Sequence, residues 1–121
     1  MAEVKLVLVF GRDHRTVGWL SEEIGKGAKA FEKIGFIFAP GLLEAAVIIS
    51  SLDISLAVFF ARPGKDEENR ELMKRLRPRN GKLVGAALDK SDLAVLYYSC
   101  DEICRPADLP GKILALLEPR R

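Results

Sequence analysis

The apolar run at residues 54–61 constrains the fold more than any other part of the sequence. It reads Ile-Ser-Leu-Ala-Val-Phe-Phe-Ala, and Arg62-Pro63-Gly64 follows it. Side chains alternate between the two faces of a strand, so an almost uninterrupted apolar run predicts a strand that is buried on both faces. Because proline has no N–H to donate to a strand ladder, we expect the strand to end before Pro63 and to open a loop.

Strand-like and helix-like segments alternate along the rest of the chain. A first strand is predicted at residues 4–10, and a helix from Thr16 follows it. That helix carries an apolar stripe at spacings of three and four, formed by Val17, Leu20, Ile24, Ala28, Phe31 and Ile34. We expect Gly35 to end the helix, because glycine adopts a left-handed φ without a Cβ penalty, and residues 36–39 to form a second strand.

The next predicted helix spans residues 42–52, and Pro40 suits its first turn, where a missing N–H costs nothing. The helix is apolar nearly all round, which indicates that it is deeply buried or covered by a partner. A strand over residues 46–49 stays open as an alternative. Beyond the central strand, a further helix is predicted at residues 67–77, with an exposed i,i+4 pair between Glu71 and Arg75.

The last third of the chain predicts a fourth strand at residues 82–88 and a short fifth strand at residues 102–104. Residues 93–98 have the character of either a helix or a strand. Asp108 is expected to cap a final helix, whose inner face is formed by Leu109, Ile113, Leu116 and Leu117. Five alternations of strand and helix predict a parallel sheet with helices on both faces.

The composition is that of one globular domain, residues 1–121, with 49% hydrophobic and 30% charged residues. The net charge of +2 gives no reason to expect nucleic acid or a membrane as a partner. No signal peptide is expected, and no stretch reaches the ~20 apolar residues of a membrane span. The two cysteines favour a cytoplasmic location, and the absence of Gln is compatible with a thermophilic source.

The segment Ile103-Cys104-Arg105-Pro106-Ala107-Asp108-Leu109, with the apolar helix pattern after it, resembles the end of a response-regulator receiver domain. In that family a Lys-Pro pair ends the fifth strand, and Arg105-Pro106 stands at its place. Pro63-Gly64 resembles the loop after the family's third strand. The resemblance implies a flavodoxin-like three-layer α/β/α sandwich, with a five-stranded parallel sheet in the order 2-1-3-4-5.

The sequence departs from the receiver pattern at the positions that carry phosphoryl transfer. The resemblance places the phosphoacceptor aspartate at Phe59, four residues before the proline, and the Mg²⁺-binding acidic pair at Gly11 and Arg12. The family's Ser or Thr falls on Ala87, and its Lys falls on Arg105. These departures imply a degenerate pseudo-receiver that is not an enzyme and has no metal or cofactor: a regulatory or interaction module that aspartyl phosphorylation does not switch.

An alternative is a small enzyme or ligand-binding protein that uses the cleft at the carboxyl ends of the strands. Asp13, His14 and Arg105 are the candidate cleft residues, because a histidine beside a strand end can act as an acid or a base. Residues 7–14 and 57–60 faintly resemble methylglyoxal synthase, although that family's phosphate loop and catalytic Gly-Gly-Asp segment are absent. Cys100 and Cys104 are interpreted as reduced thiols rather than zinc ligands.

Three aromatic residues are candidates for contact with a protein partner or a second copy of the chain. Trp19 lies off the apolar stripe of the first helix, and exposed tryptophan is enriched at interfaces. Tyr97 and Tyr98 fall near the fifth strand, on the side that receivers commonly use for dimerisation. A half-buried structural role remains open for each of the three.

Overall fold

The structure is a computed structural model that describes residues 4–10, 15, 18–20, 22–23, 33–61, 65–79, 81–87, 96 and 100–117. Its five parallel strands are β1 (Val4–Phe10), β2 (Lys33–Ala39), β3 (Ile54–Phe60), β4 (Lys82–Ala86) and β5 (Glu102–Cys104). They form one sheet in the order β2-β1-β3-β4-β5, which confirms the predicted flavodoxin-like arrangement.

Three helices with described bounds flank the sheet: α1 (Leu42–Ser51), α2 (Asp66–Leu76) and α3 (Leu109–Leu117). Residues 18–20 and 22–23, between β1 and β2, are also helical. None of the helices in the described part of the chain has the length and apolar character that crossing a membrane requires.

The sheet separates two hydrophobic cores. The front core lies under α1 and α2, and its buried members are Leu8, Phe10, Ala39, Ala45, Ile54, Ala57, Phe59, Leu72, Met73, Leu76, Leu83, Ala87 and Leu96. The rear core lies under α3, and its buried members are Val7, Val9, Leu20, Leu56, Val58, Phe60, Val84, Ala86, Cys104, Leu109, Ile113 and Leu117. Strand β3 supplies both cores and is buried along its length except at Ser55, which confirms the predicted central strand.

The pairing of β1 with β3 contains a bulge near the amino-terminal edge of the sheet. Leu6 pairs with Ile54 and Val7 pairs with Leu56, so Ser55 is an extra residue on β3. Bulges are uncommon in parallel pairs and locally redirect the bulged strand. From Leu56 onward β3 runs in unbroken register with both of its neighbours.

The prediction that Gly35 ends the first helix was wrong. Strand β2 begins at Lys33, and Gly35 pairs with Leu6 inside the ladder. Ile34 belongs to this strand and packs against the rear core. Seven-residue pairing along the whole of β1 therefore outweighs the helical spacing of the last residues in the predicted stripe.

A helix lies at the predicted position near residues 42–52, but of its two expected environments deep burial was wrong, while cover by a partner stays a prediction. Ala45 is the one fully buried residue of α1, whereas Leu43 is 76% exposed and Val47 is 56% exposed. The alternative strand at residues 46–49 is excluded by the helix itself. The all-round apolar composition of α1 thus reflects one face on the core and one apolar face toward solvent.

Three predictions for the second half of the chain were wrong in detail. Strand β4 ends at Ala86, before residue 88. Glu71 pairs with Lys74 at 3.7 Å in an i,i+3 contact and not with Arg75. A single 3₁₀ turn, Pro106–Asp108, leads directly into α3. Helical backbone therefore begins at Pro106, and the N-cap position before it belongs to Arg105 and not to Asp108. Proline suits such a first turn because its φ is already helical.

Candidate functional site

The carboxyl ends of β1, β3 and β4 meet at one edge of the sheet, which is where α/β folds of this kind place ligands. The described side chains at this edge are apolar and buried: Phe10, Phe59, Phe60, Ala86 and Ala87. The backbone ladder extends one residue beyond the strands, since Ala61 N–H donates to the Ala86 carbonyl at 2.9 Å and Ala87 N–H donates to the Cys104 carbonyl at 3.2 Å.

Two stacked aromatic rings occupy the middle of this edge. Phe10 pairs in register with Phe59, and their ring centroids lie 6.2 Å apart with an interplanar angle of 17°. Phe59 is fully buried and Phe10 nearly so. Such a pair contributes about 0.5–1.5 kcal/mol beyond the burial of its area. The resemblance to receivers assigns the phosphoacceptor carboxylate to Phe59, and the structure places that residue in the front core.

The predicted cleft residues are only partly within the described chain. Arg105 is exposed, directly after β5, and its carbonyl accepts from Asp108 N–H at 2.9 Å. It occupies the N-cap position of the 3₁₀ turn without a side-chain capping bond. Asp13 and His14 lie outside the described residues, so the expected meeting of the three side chains stays a prediction.

Of the three aromatic residues predicted to contact a partner, Trp19 lies within the described part of the chain. Trp19 is 36% exposed, while the next residue, Leu20, is fully buried in the rear core. This exposure agrees with the predicted position of Trp19 away from the apolar stripe. Tyr97 and Tyr98 lie outside the described residues. Leu96, which precedes them, is helical and buried in the front core.

The two cysteines lie on opposite faces of the sheet. Cys100 packs against the front core, with its Sγ 3.4 Å from the Met73 Sδ, whereas Cys104 is buried in the rear core. Burial raises the pKa of Cys100 to about 12 and that of Cys104 to about 11, so both are thiols at neutral pH. Within the described residues no three His, Cys, Asp or Glu side chains form a group that would hold a metal ion.

Sequence reasoning missed an arrangement around Asp101 at the opposite, amino-terminal edge of the sheet. The carboxylate Oδ2 of Asp101 accepts from Leu83 N–H at 2.8 Å and from the Arg77 guanidinium at 2.9 Å. Burial raises the pKa of Asp101, but these hydrogen bonds, the charge of Arg77 and that of Lys82 outweigh it and lower the pKa overall. The one sequence signal was an aspartate immediately before a predicted edge strand.

No protein-family model matches the sequence, and no curated protein matches it. Solved structures do match. A response regulator from Thermotoga maritima has a TM-score of 0.73 and 17% identity, over 95% of this chain and 98% of that one. Response regulator TrrA from Thermotoga maritima, solved in complex with Mg²⁺-BeF, has a TM-score of 0.69 and 19% identity, over 93% of this chain and 99% of that one.

A CheY-like receiver domain protein from Methanospirillum hungatei also matches, with a TM-score of 0.66 and 18% identity. The alignment covers 93% of each chain. At identities below one fifth, these matches concern only the course of the backbone. The backbones agree over nearly the full length of the chain, and the strand order described above is consistent with that agreement. The chain therefore has the CheY-like, flavodoxin-type fold of response-regulator receiver domains.

Proposed function

We propose that this protein is a regulatory or protein-interaction module with a receiver fold, which aspartyl phosphorylation does not switch. It acts through contacts with a protein partner or with a second copy of itself, and it performs no catalysis. The Phe10–Phe59 pair carries this proposal. An acyl phosphate needs a carboxylate that solvent and a phosphoryl donor can reach, and Phe59 is a fully buried phenyl ring.

The surrounding positions support the same interpretation. Ala87, at the position of the family's hydroxyl, is buried and has no group that could hold a phosphoryl oxygen. Arg105 keeps the positive charge of the family's lysine but is exposed directly after β5. Magnesium is held by hard carboxylate oxygens, and the aligned positions Gly11 and Arg12 carry none.

The contacts of such a module are proposed to involve Trp19 on one side and Tyr97, Tyr98 and Arg105 on the other. Trp19 is exposed enough to be buried further by a partner, and its neighbour Leu20 fixes the helix to the rear core. Large aromatic side chains supply most of the binding energy at interfaces when they enter a pocket on the partner.

Phosphorylation is tested by incubating the protein with acetyl phosphate and Mg²⁺ and measuring the intact mass. The expected result is an unchanged mass, while a receiver domain with a complete acidic site, treated in parallel, gains a phosphoryl group. A phosphoryl adduct that disappears in the Asp13→Asn variant would refute the proposal, because it would show that a carboxylate near the strand ends accepts the group.

The contact surface is tested by size-exclusion chromatography with light scattering, followed by capture of partners on immobilised protein. We expect Trp19→Ala or Tyr97→Ala to weaken self-association or partner capture without lowering the thermal midpoint. Arg15→Ala is the matched control, since Arg15 is an exposed helical residue of the same region. A strict monomer that captures no partner, or an association that both substitutions leave unchanged, contradicts this part of the proposal.

A further inference from the structure

Helix α1 presents an apolar stripe to solvent. Four exposed residues at spacings of three and four form this α1 stripe: Leu43, Ala46, Val47 and Ser50. Residues at these spacings share one face of a helix. Leu43 and Val47 are two of the four large apolar side chains that are exposed in the described part of the chain. Exposed apolar residues that lie together on one face mark a surface that binds another molecule.

The one polar side chain of the α1 stripe has its hydroxyl proton engaged within the helix. The Ser50 Oγ donates to the carbonyl oxygens of Ala46 at 2.9 Å and of Val47 at 3.1 Å. Burying a donor that has no acceptor is costly, but this donor already has acceptors in its own helix. The stripe can therefore lose its water without leaving a hydrogen-bond donor unpaired.

Charges lie at the two ends of α1 and not on the α1 stripe. Glu44 is the only charged residue of the helix, and its carboxylate lies back toward Gly41 at the N-cap. At the carboxyl end, Asp53 and Arg79 line one small cavity together with Ser50, and their opposite charges offset each other. A charged partner would find no counter-charge on the stripe, so its chemistry favours an apolar occupant.

The order of side-chain sizes makes the α1 stripe complementary to itself. In an antiparallel pairing about a two-fold axis between Ala46 and Val47, residue 43 lies level with residue 50 of the second copy, and residue 47 with residue 46. Leu43 then packs beside the small Ser50, and Val47 beside Ala46. Large side chains beside small ones let two helices approach closely, and antiparallel helix dipoles attract each other. These properties favour a second copy of the chain as the occupant.

We propose that the α1 stripe is a self-association surface on which two copies of the chain pack antiparallel about a two-fold axis. Such a pairing uses the same patch on both subunits. The ten residues of α1 span about 15 Å, so a contact centred on this helix buries less than the roughly 800 Å² per partner of a standard interface. The dimer is therefore expected to be weak, with a micromolar dissociation constant. The proposal uses neither Trp19 nor Tyr97, so it can fail while the proposed function stands.

Sedimentation velocity at protein concentrations from roughly 1 µM to 1 mM measures this association. We expect a reversible monomer–dimer equilibrium, which Val47→Lys weakens at least about tenfold because it places two ammonium groups near the two-fold axis. Val47 is exposed and lysine has a higher helix propensity than valine, so the variant is expected to fold. Ala115→Lys is the matched control, since Ala115 is an exposed residue of α3 on the opposite face of the sheet.

A disulfide crosslink tests the antiparallel register. The two copies of residue 46 lie near the two-fold axis, so Ala46→Cys is expected to crosslink under a mild oxidant. The two copies of residue 43 are displaced by about 10 Å along the helices, beyond the Cα separation that a disulfide spans, so Leu43→Cys is expected not to crosslink. The native Cys100 and Cys104 pack in the two cores and give little background.

A strict monomer at the highest concentration overturns the proposal, as does an association that Val47→Lys leaves unchanged. Faster crosslinking of Leu43→Cys than of Ala46→Cys would reject the antiparallel pairing. A monomer that binds another protein, and loses this binding in Val47→Lys alone, would assign the stripe to a different partner and reject the second copy. If Trp19→Ala weakens an association that Val47→Lys does not, self-association belongs to the Trp19 surface, and this inference fails while the proposed function stands.

Discussion

Asp101 and Leu83 form a two-point hydrogen-bonded pair between the loop before β5 and the start of β4. The Asp101 carboxylate accepts from Leu83 N–H at 2.8 Å, and the Asp101 N–H donates to the Leu83 carbonyl at 2.8 Å. The Asp101 carboxylate thus takes the place of a backbone carbonyl at the start of the pairing between β4 and β5, a strand of only three residues. The Arg77 guanidinium, 2.9 Å from the same carboxylate oxygen, connects α2 to this pair.

We predict that Asp101→Ala lowers the free energy of unfolding by roughly 1–3 kcal/mol. Leu83 is fully buried, and its N–H would lose a charged acceptor. The neighbouring substitution Glu102→Ala is the control. It breaks an exposed ion pair with Lys112, 3.5 Å long, whose contribution is expected to be about 0.5 kcal/mol or less. Urea denaturation of both variants measures the difference, and equal losses would contradict the role assigned to Asp101.

The same carboxylate predicts a dependence of stability on pH. Its pKa in the folded protein is lower than its usual value of 3.8. A lowered pKa means that the ionised form stabilises the fold, so the contribution is complete above the unfolded-state pKa and is lost as the pH falls through the folded-state pKa. We therefore expect the stability difference between wild type and Asp101→Asn to be constant near neutral pH and to shrink below about pH 4. Denaturation curves across this range test the sign.

Two glycine substitutions are predicted to act in opposite directions. Gly81→Ala places a Cβ within 2.6 Å of two backbone carbonyl oxygens, and a strand backbone shifts only at a cost of about 1–3 kcal/mol or more. Gly111→Ala, in the exposed part of α3, meets nothing within 4 Å and is expected to stabilise the protein by up to about 1 kcal/mol. Thermal unfolding compares them. A neutral Gly81→Ala would show that β3 and β4 tolerate separation at the bulge.

The cysteines are predicted to react slowly and never with each other while the protein is folded. Burial raises the pKa of Cys104 to about 11, so at pH 8 about one thiol in a thousand is ionised. Alkylation with iodoacetamide, followed by mass spectrometry, should modify both cysteines quickly only in denaturant. An intramolecular disulfide formed under a mild oxidant in native buffer would contradict their placement on opposite faces of the sheet.

Sequence patterns predicted the elements of this fold that depend on local signals. Signals within a few residues predicted β3 from its apolar run, α2 near residues 67–77, and the end of β5 before Arg105-Pro106. The errors arose where a distant partner decides the conformation. Gly35 suits a helix end, but pairing with Leu6 makes it part of β2, and nothing within residues 42–52 indicates that Leu43 faces solvent.

The features of the candidate site were likewise only partly predictable from the sequence. That residue 59 carries no carboxylate is visible in the sequence once the loop at Pro63 is aligned with receivers, but the ring of Phe10 against it depends on the register of β1 with β3. Arg77 and Asp101 lie 24 residues apart in the sequence, and only the folded arrangement of α2 and the sheet brings their side chains together. No local pattern distinguishes them from ordinary surface residues.

Phe59 and Phe60 are consecutive residues, yet one belongs to the front core and the other to the rear core. A fluorine label on each ring would therefore give two spectroscopic reporters on adjacent residues, one on each face of the sheet. Loosening of α2 would change the resonance of the first, and loosening of α3 that of the second. Labels on β3 alone would thus show whether the front core and the rear core unfold together or in succession.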